Sequence, residues 1–157
     1  MDSPKFVADF MLGRLARWLR LLGFDTVYVN EQERNQLLLS SLKEGRIILT
    51  RDTKLSEKRA LKLIPIQDDS YFSQIKQVYK DLKIKFNTER IYTLCSICNI
   101  ILLPVKNKEL IKPYVPQYTY DIHETFSICP KCKRVYWKGT HEELLKGVLN
   151  QFHNEDN

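Results

Sequence analysis

Short apolar runs alternate with amphipathic segments over the first half of the chain. Four runs have the length and composition of buried β-strands, at residues 5–8, 26–29, 47–49 and 63–66. Each is followed by a segment of helical composition, at residues 11–22, 33–44, 54–63 and 71–82. The first and last of these repeat their apolar residues at the spacing of a helix face. Strands that alternate with helices predict an α/β fold with a central parallel sheet and flanking helices.

The pattern changes after a charged linker at residues 83–90. Residues of β-type composition return at 100–104, 123–128 and 135–137. Residues 140–143 have the Thr-x-x-Glu spacing of a capping box, which predicts a final helix to about Phe152. We therefore predict one domain at residues 1–88 and a smaller one at residues 89–157.

All the cysteines of the chain lie in the second domain, in two Cys-x-x-Cys pairs: Cys95, Cys98, Cys129 and Cys132. Such a pair curls the backbone so that both sulfurs point to one place. Two facing pairs offer four thiolates in a tetrahedron, which is the geometry that zinc prefers. Because four thiolates fill the coordination shell, the predicted zinc is structural, and the second domain is predicted to be a zinc ribbon.

Disulfides, redox chemistry and an iron–sulfur cluster are the alternatives to zinc. Disulfides need an oxidising compartment, and a redox Cys-x-x-Cys does not need a second copy. The chain starts without the basic segment and apolar centre of a signal peptide, and no apolar run approaches a membrane span. We therefore expect a cytoplasmic protein that does not associate with a membrane, and its oligomeric state is left open.

The chain has 25 basic and 19 acidic residues, a formal net charge of +6 and a pI near 9.1. Most of the excess positive charge lies before residue 90. This charge favours a polyanionic partner without identifying one.

Aspartates follow three of the four predicted strands: Asp9, Asp52, and the pair Asp68 and Asp69. Ligands of parallel α/β sheets bind outside the carboxyl ends of the strands, so these side chains are expected at one edge. Neighbouring carboxylates repel each other unless a cation neutralises them, and hard oxygen ligands select Mg²⁺ or Mn²⁺. A phosphodiester is the substrate that such ions suit. The alternative is that Asp52 and Asp69 only cap the helices that follow them.

Basic residues accompany these acids. Arg14, Arg17 and Arg20 flank the apolar stripe of the first helix, and Arg51 precedes Asp52. Arginine suits phosphate because its fork can bond two oxygens at once, although a solvated helix face explains the three helical arginines equally simply.

The predicted ribbon has its own basic group, Lys131, Lys133 and Arg134, next to Tyr136 and Trp137. Basic residues among aromatic ones suit single-stranded nucleic acid. Tyr136 and Trp137 could equally form the small core of the ribbon, and the sequence does not decide between these.

The segments at residues 6–9, 11–23 and 45–52, with the ribbon motifs at 95–98, 113–116, 129–132 and 134–141, resemble the Mut-seven C-terminal RNase domain family. That family has a PIN-like ribonuclease domain followed by a zinc ribbon. The resemblance implies a PIN-like fold whose acidic edge binds Mg²⁺ or Mn²⁺ and cleaves RNA. It implies metal binding by Asp9, Asp52 and Asp69, a catalytic role for Asp68 beside them, and substrate phosphates near Arg14, Arg17 and Arg51.

The chain departs from that pattern at one place. PIN nucleases usually have another acid on the helix before the third strand, and residues 34–42 contain none. A smaller set of carboxylates binds metal more weakly. The leading hypothesis is a metal-dependent endoribonuclease whose ribbon helps to bind RNA. The alternatives are a non-catalytic protein that binds RNA, ribosomal RNA or the ribosome, and a toxin of a toxin–antitoxin pair.

Overall fold

The computed structural model describes residues 3–58, 62–85, 87–139, 142–143, 145–147 and 150. Its first lobe, residues 3–85, is built on four parallel strands: β1 (Phe6–Ala8), β2 (Thr26–Tyr28), β3 (Ile47–Thr50) and β4 (Leu63–Pro65). Their order in the sheet is β2-β1-β3-β4. The predicted α/β fold with a parallel central sheet is confirmed.

Both faces of this sheet are covered by helices. The helices of the first lobe are α1 (Gly13–Leu21), α2 (Asn35–Glu44), α3 (Thr53–Ser56) and α4 (Tyr71–Leu82). Phe6 and Ala8 of β1 point into a core shared with α1 and α4, whereas Val7 points into a second core with Leu37 of α2. β1 and β3 are largely buried on both faces, so their residues are apolar apart from Thr50 at the end of β3.

The third predicted helix is wrong in its extent. It was expected over residues 54–63, but α3 ends at Ser56 and Leu63 already belongs to β4. Residues 59–61 lie outside the described part. None of the four residues of α3 is fully buried, and only Leu55 packs against the second core, so little packing supports this helix.

The second lobe, which we call the ribbon (residues 93–139), contains an antiparallel sheet. Its strands are β5 (Leu103–Pro104), β6 (Phe126–Ile128) and β7 (Val135–Trp137), paired in that order. Between β5 and β6 lie a 3-10 helix at Lys108–Tyr114 and helix α5 (Gln117–Ile122), neither of which the sequence predicted. Ile111, Phe126 and Val135 are buried together and form the ribbon's own core.

The predicted final helix falls partly outside the described residues, which include neither Thr140 nor Phe152. Residues 142–143, 145–147 and 150 are helical. Leu145 is fully buried in the core of the first lobe, so this C-terminal segment packs against the first lobe. The boundary near residue 88 stays a prediction.

In the part of the chain that the structure describes, no helix combines the length and apolar character of a membrane span.

Candidate active site and metal centre

The two central strands of the first lobe place Asp9 and Asp52 at the same edge. From β1 the chain passes to β2 on one side, and β3 lies on the other side of β1. This reversal is the place where open α/β sheets form a crevice outside the strand ends. Asp9 follows β1 directly, and Asp52 follows β3 after one residue. Chain topology therefore brings together two carboxylates that are 43 residues apart in sequence.

Asp9 is fully buried, and its carboxylate accepts four hydrogen bonds. Oδ1 accepts from the backbone N–H of Phe10 at 2.9 Å and from Nε of Arg34 at 3.1 Å. Oδ2 accepts from Nη2 of Arg34 at 2.8 Å and from the hydroxyl of Thr50 at 2.7 Å. A carboxylate has about four acceptor positions, so the protein itself satisfies Asp9. The buried charge is stable because it is both paired and hydrogen-bonded.

Asp52 has two roles. Its Oδ1 accepts from the backbone N–H groups of Lys54 at 2.9 Å and Leu55 at 3.4 Å, so Asp52 is the N-cap of α3. Its Oδ2 accepts from Nη2 of Arg34 at 2.8 Å. The hydrogen bond from Arg34 lowers the pKa of Asp52 below its usual value. Asp52 therefore does cap a helix, as the alternative predicted, but the capping hydrogen bonds use only one of its two carboxylate oxygens.

Arg34 joins the two acids, and the sequence did not single it out. Nη2 of Arg34 lies 2.8 Å from an oxygen of each carboxylate. Hydrogen bonds to Asp9 and then to Asp52 raise the pKa of Arg34 above its ordinary value. Its side chain is 35% exposed and lines a cavity of about 280 Å³ together with Asp52 and Leu55. The one available signal was that an arginine begins the segment in which an acid was expected.

The acids after β4 are placed differently. Asp68 and Asp69 are exposed, and Asp69 forms an ion pair with Arg51. The N-cap residue of α4 is Ser70, not Asp69, and the side chain of Ser70 makes no capping hydrogen bond. Among the described residues, only the cysteines form a group of three or more ligand side chains whose atoms lie within 4.8 Å of one another. Asp9, Asp52 and Asp69 are therefore not such a cluster in this structure, and metal binding by all three stays a prediction.

The predicted phosphate-binding arginines divide into two groups. Arg14 and Arg17 are exposed, and the guanidinium of Arg14 lies 4.1 Å from the centre of the Tyr71 ring. Arg14 and Asp69 line a cavity of about 270 Å³, which places Arg14 on the side of the site where Asp69 and Arg51 meet.

Arg20, in contrast, is buried and binds backbone carbonyl groups. Nε donates to the carbonyl of Thr26 at 2.8 Å, and Nη1 donates to those of Ser96 at 2.9 Å and Ile97 at 3.0 Å. These bonds use donors that a phosphate would need. They give Arg20 a structural role, which is to hold the first cysteine pair against the first lobe.

The four cysteines form one group in the ribbon: their sulfur atoms all lie within 4.8 Å of one another. The two pairs have matching backbones. In each pair the second cysteine donates its N–H to the first sulfur, at 3.4 Å for Cys98 and 3.5 Å for Cys132. Asn99 and Lys133 then follow in the left-handed conformation, with φ of 57° and 64°. Two copies of the same turn thus bring four sulfurs together.

The chemistry of this group fits a soft or borderline cation such as zinc. Burial raises the pKa of Cys95, but hydrogen bonds from Tyr136 and from backbone N–H groups outweigh it and lower the pKa to about 7. Burial and the neighbouring sulfurs raise the pKa of Cys98 to about 12. The four sulfurs cannot all be thiolates unless a cation joins them. The sulfurs can therefore bind a metal ion such as zinc, with Cys95 and Cys129 fully buried.

Tyr136 and Trp137 serve mainly the interior of the ribbon. The hydroxyl of Tyr136 lies 3.2 Å from the sulfur of Cys95 and accepts from the N–H of Ser96 at 3.0 Å. The ring of Trp137 packs edge-on against Phe126. The small-core alternative therefore describes both residues.

The basic group beside them is available to a partner. Lys131, Lys133 and Arg134 are exposed. A cavity of about 530 Å³ lies between the lobes and is lined by Lys133, Arg134 and the half-exposed Trp137.

Comparison with known proteins gives one family. The model of the Mut7-C RNAse domain matches residues 4–149, which is nearly the whole chain. No curated protein matches the chain.

Proposed function

The chain belongs to the Mut7-C RNAse domain family, and on that premise we propose that it is a metal-dependent endoribonuclease. RNA is the substrate class that the family implies. The site that we propose is the Asp9–Asp52 edge, with Asp68 and Asp69 beside it. The ribbon is proposed to contribute RNA binding and a structural zinc.

One observation supports this proposal most strongly. Asp9 and Asp52 come from different strands, yet one nitrogen atom of Arg34 lies 2.8 Å from both. A position that satisfies two carboxylates at once is a position for a cation. The hard oxygens of Asp9 and Asp52 suit Mg²⁺ or Mn²⁺ in their chemistry, although they are bound by Arg34 in this structure.

A divalent ion held by Asp9 and Asp52 would supply activation of water and neutralisation of phosphate charge. The protein's own residues position the RNA. Arg14, Arg17 and Arg51 are exposed, and their guanidinium groups can bind phosphate oxygens in pairs. Thr50 donates to Asp9 and accepts from the N–H of Asp52, and so fixes both acids relative to each other.

We propose that RNA extends from this edge to the ribbon, where Lys131, Lys133 and Arg134 contact its backbone. Contacts of this kind depend on charge and not on base sequence. Four reduced cysteines around zinc fit the cytoplasm, where thiols persist.

Cleavage of RNA by the purified full-length chain tests the proposal. We expect single-stranded and structured RNA to be cut in the presence of Mn²⁺, and Asp52→Asn to reduce the rate by roughly a hundredfold or more. Asp81→Asn is the matched control, because Asp81 is an exposed aspartate on α4 outside the proposed site. Cleavage that persists in the double variant Asp9→Asn, Asp52→Asn would refute the proposed site. Circular dichroism shows whether each variant folds, and Asp52→Asn, which changes a partly exposed residue, keeps the test valid if Asp9→Asn does not fold.

A second candidate is a non-catalytic RNA-binding protein, with the ribosome among its possible partners. The contact of Arg34 with both carboxylates favours it, because a site whose charge is already partly neutralised has less need of a metal. This candidate predicts RNA binding that weakens steeply with salt, and no cleavage at any Mn²⁺ concentration.

A further inference from the structure

The acidic pair has a cation of its own within the chain. We propose that Arg34 is the resident counterion of Asp9 and Asp52 and competes with a divalent ion for the same carboxylate oxygens. This inference deepens the proposed function, because it concerns the same pair of acids and says what controls their metal affinity.

Geometry makes the two cations mutually exclusive. Nη2 of Arg34 lies 2.8 Å from Oδ2 of Asp9 and 2.8 Å from Oδ2 of Asp52. An ion bound by both of these oxygens would have to lie between them, which is where Nη2 lies. Nε of Arg34 also occupies the other oxygen of Asp9, at 3.1 Å. No oxygen of Asp9 is therefore free for a metal until Arg34 moves.

The charges lead to the same conclusion. Asp9 and Asp52 together have a charge of about −2, and Arg34 reduces this to about −1. Residues 34–42 contain no acid that could restore it, and Glu44, the acid at the end of α2, is bonded to Arg46. A divalent ion is attracted less by such a site, and it is repelled by the guanidinium if Arg34 stays nearby.

The position of Arg34 allows it to leave. It immediately precedes α2, and its side chain is 35% exposed beside an open cavity. Asp52 would remain in place, because its other oxygen caps α3. The fold can thus exist with either cation, and Arg34 sets how much metal is needed to replace it.

Mn²⁺ binding in the absence of RNA tests this inference. The measurement is calorimetric titration of the full chain with its four-cysteine centre filled with zinc. We expect Arg34→Gln to bind Mn²⁺ at least tenfold more tightly than the wild type. We also expect Mn²⁺ to raise the melting temperature of Arg34→Gln more than that of the wild type, because the variant leaves Asp9 without its counterion.

Two controls locate the effect. Lys58→Gln removes the same charge from the lining of the same cavity. Within the described part of the chain, no hydrogen bond or ion pair joins Lys58 to either acid. It is expected to bind Mn²⁺ as the wild type does. Asp9→Asn added to Arg34→Gln should abolish the gain.

Equal Mn²⁺ affinity in the wild type and in Arg34→Gln would overturn the inference, as would an equal gain in Lys58→Gln. Should Arg34→Gln fail to fold, Arg34→Lys is used instead, because it retains the charge but loses the two-pronged contact. The inference then requires Arg34→Lys to bind Mn²⁺ at least twofold more tightly than the wild type. A failure of the proposed nuclease function can be distinguished from a failure of this inference. If Arg34→Gln binds Mn²⁺ tightly and no variant cuts RNA, the counterion role stands and the enzyme does not.

Discussion

At the scale of single residues, the two cysteine pairs use the same turn for different purposes. Asn99 and Lys133 are both left-handed residues that directly follow the second cysteine. Lys133 is exposed, whereas the side chain of Asn99 connects the ribbon to the first lobe. Its Nδ2 donates to Asp25 at 2.7 Å, and its Oδ1 accepts from the N–H of Thr26 at 3.0 Å. The same backbone position is therefore a simple turn in one pair and an interface in the other.

Replacing each of these residues by glycine separates the two purposes. Glycine adopts the left-handed conformation without strain, so the backbone of both turns is preserved. We expect Asn99→Gly to lower the free energy of unfolding by about 1–3 kcal/mol, because the buried N–H of Thr26 loses its partner. Lys133→Gly should change it by about 0.5 kcal/mol or less. Equal losses in the two variants, measured by chemical denaturation, would show that the Asn99 contacts do not stabilise the protein.

At the scale of elements, the first cysteine pair, α1 and β2 form one connected structure. Arg20 of α1 donates to two carbonyl groups of this pair and to Thr26 of β2. The segment that leads into the ribbon also packs closely here, since a Cβ at Gly23 would lie 2.5 Å from the carbonyl oxygen of Arg90. A metal ion bound by the four cysteines would thus stabilise more than the ribbon that contains it.

Removal of the metal should therefore affect both lobes. We expect a chelator at neutral pH to unfold the ribbon and to reduce amide protection at residues 18–26, because buried Arg20 loses its partners. Strand β3 and helix α2 serve as internal controls. Strand β3 is separated from β2 by β1, and α2 covers the face of the sheet opposite α1. Hydrogen exchange measures the amide protection of all these segments. Unchanged protection at residues 18–26 would mean that the ribbon is energetically independent.

The elements also show what a sequence can predict. Strands β1 and β3 were predictable because burial on both faces leaves apolar residues in them, apart from Thr50 at the end of β3. Helix α3 was overestimated because the charged residues of this segment favour a helix, whereas only the partly buried Leu55 packs α3 against the core. Helix α5 was missed because its six residues include no buried side chain and thus no apolar repeat.

At the scale of the whole molecule, some residues of the site were predictable from the sequence and others were not. Asp9 and Asp52 were predictable, since the order of strands and helices places the ends of parallel strands at one edge. Arg34 was not, because its contact with both acids depends on how the start of α2 lies over that edge. Arg20 was mistaken for a surface residue because it continues the regular spacing of Arg14 and Arg17 along α1. That spacing does not indicate that the ribbon packs against Arg20. Contacts between separate elements are what the local pattern omits.

We propose that the carboxylates after β1 and β3 form one cation site at which RNA is cut. Anomalous diffraction from crystals grown with Mn²⁺, at a concentration well above its dissociation constant in solution, shows whether an ion binds there. We expect a manganese peak between Asp9 and Asp52, with the guanidinium of Arg34 displaced from both. A guanidinium still bound to both acids, with manganese absent or bound only elsewhere, would refute the cation site.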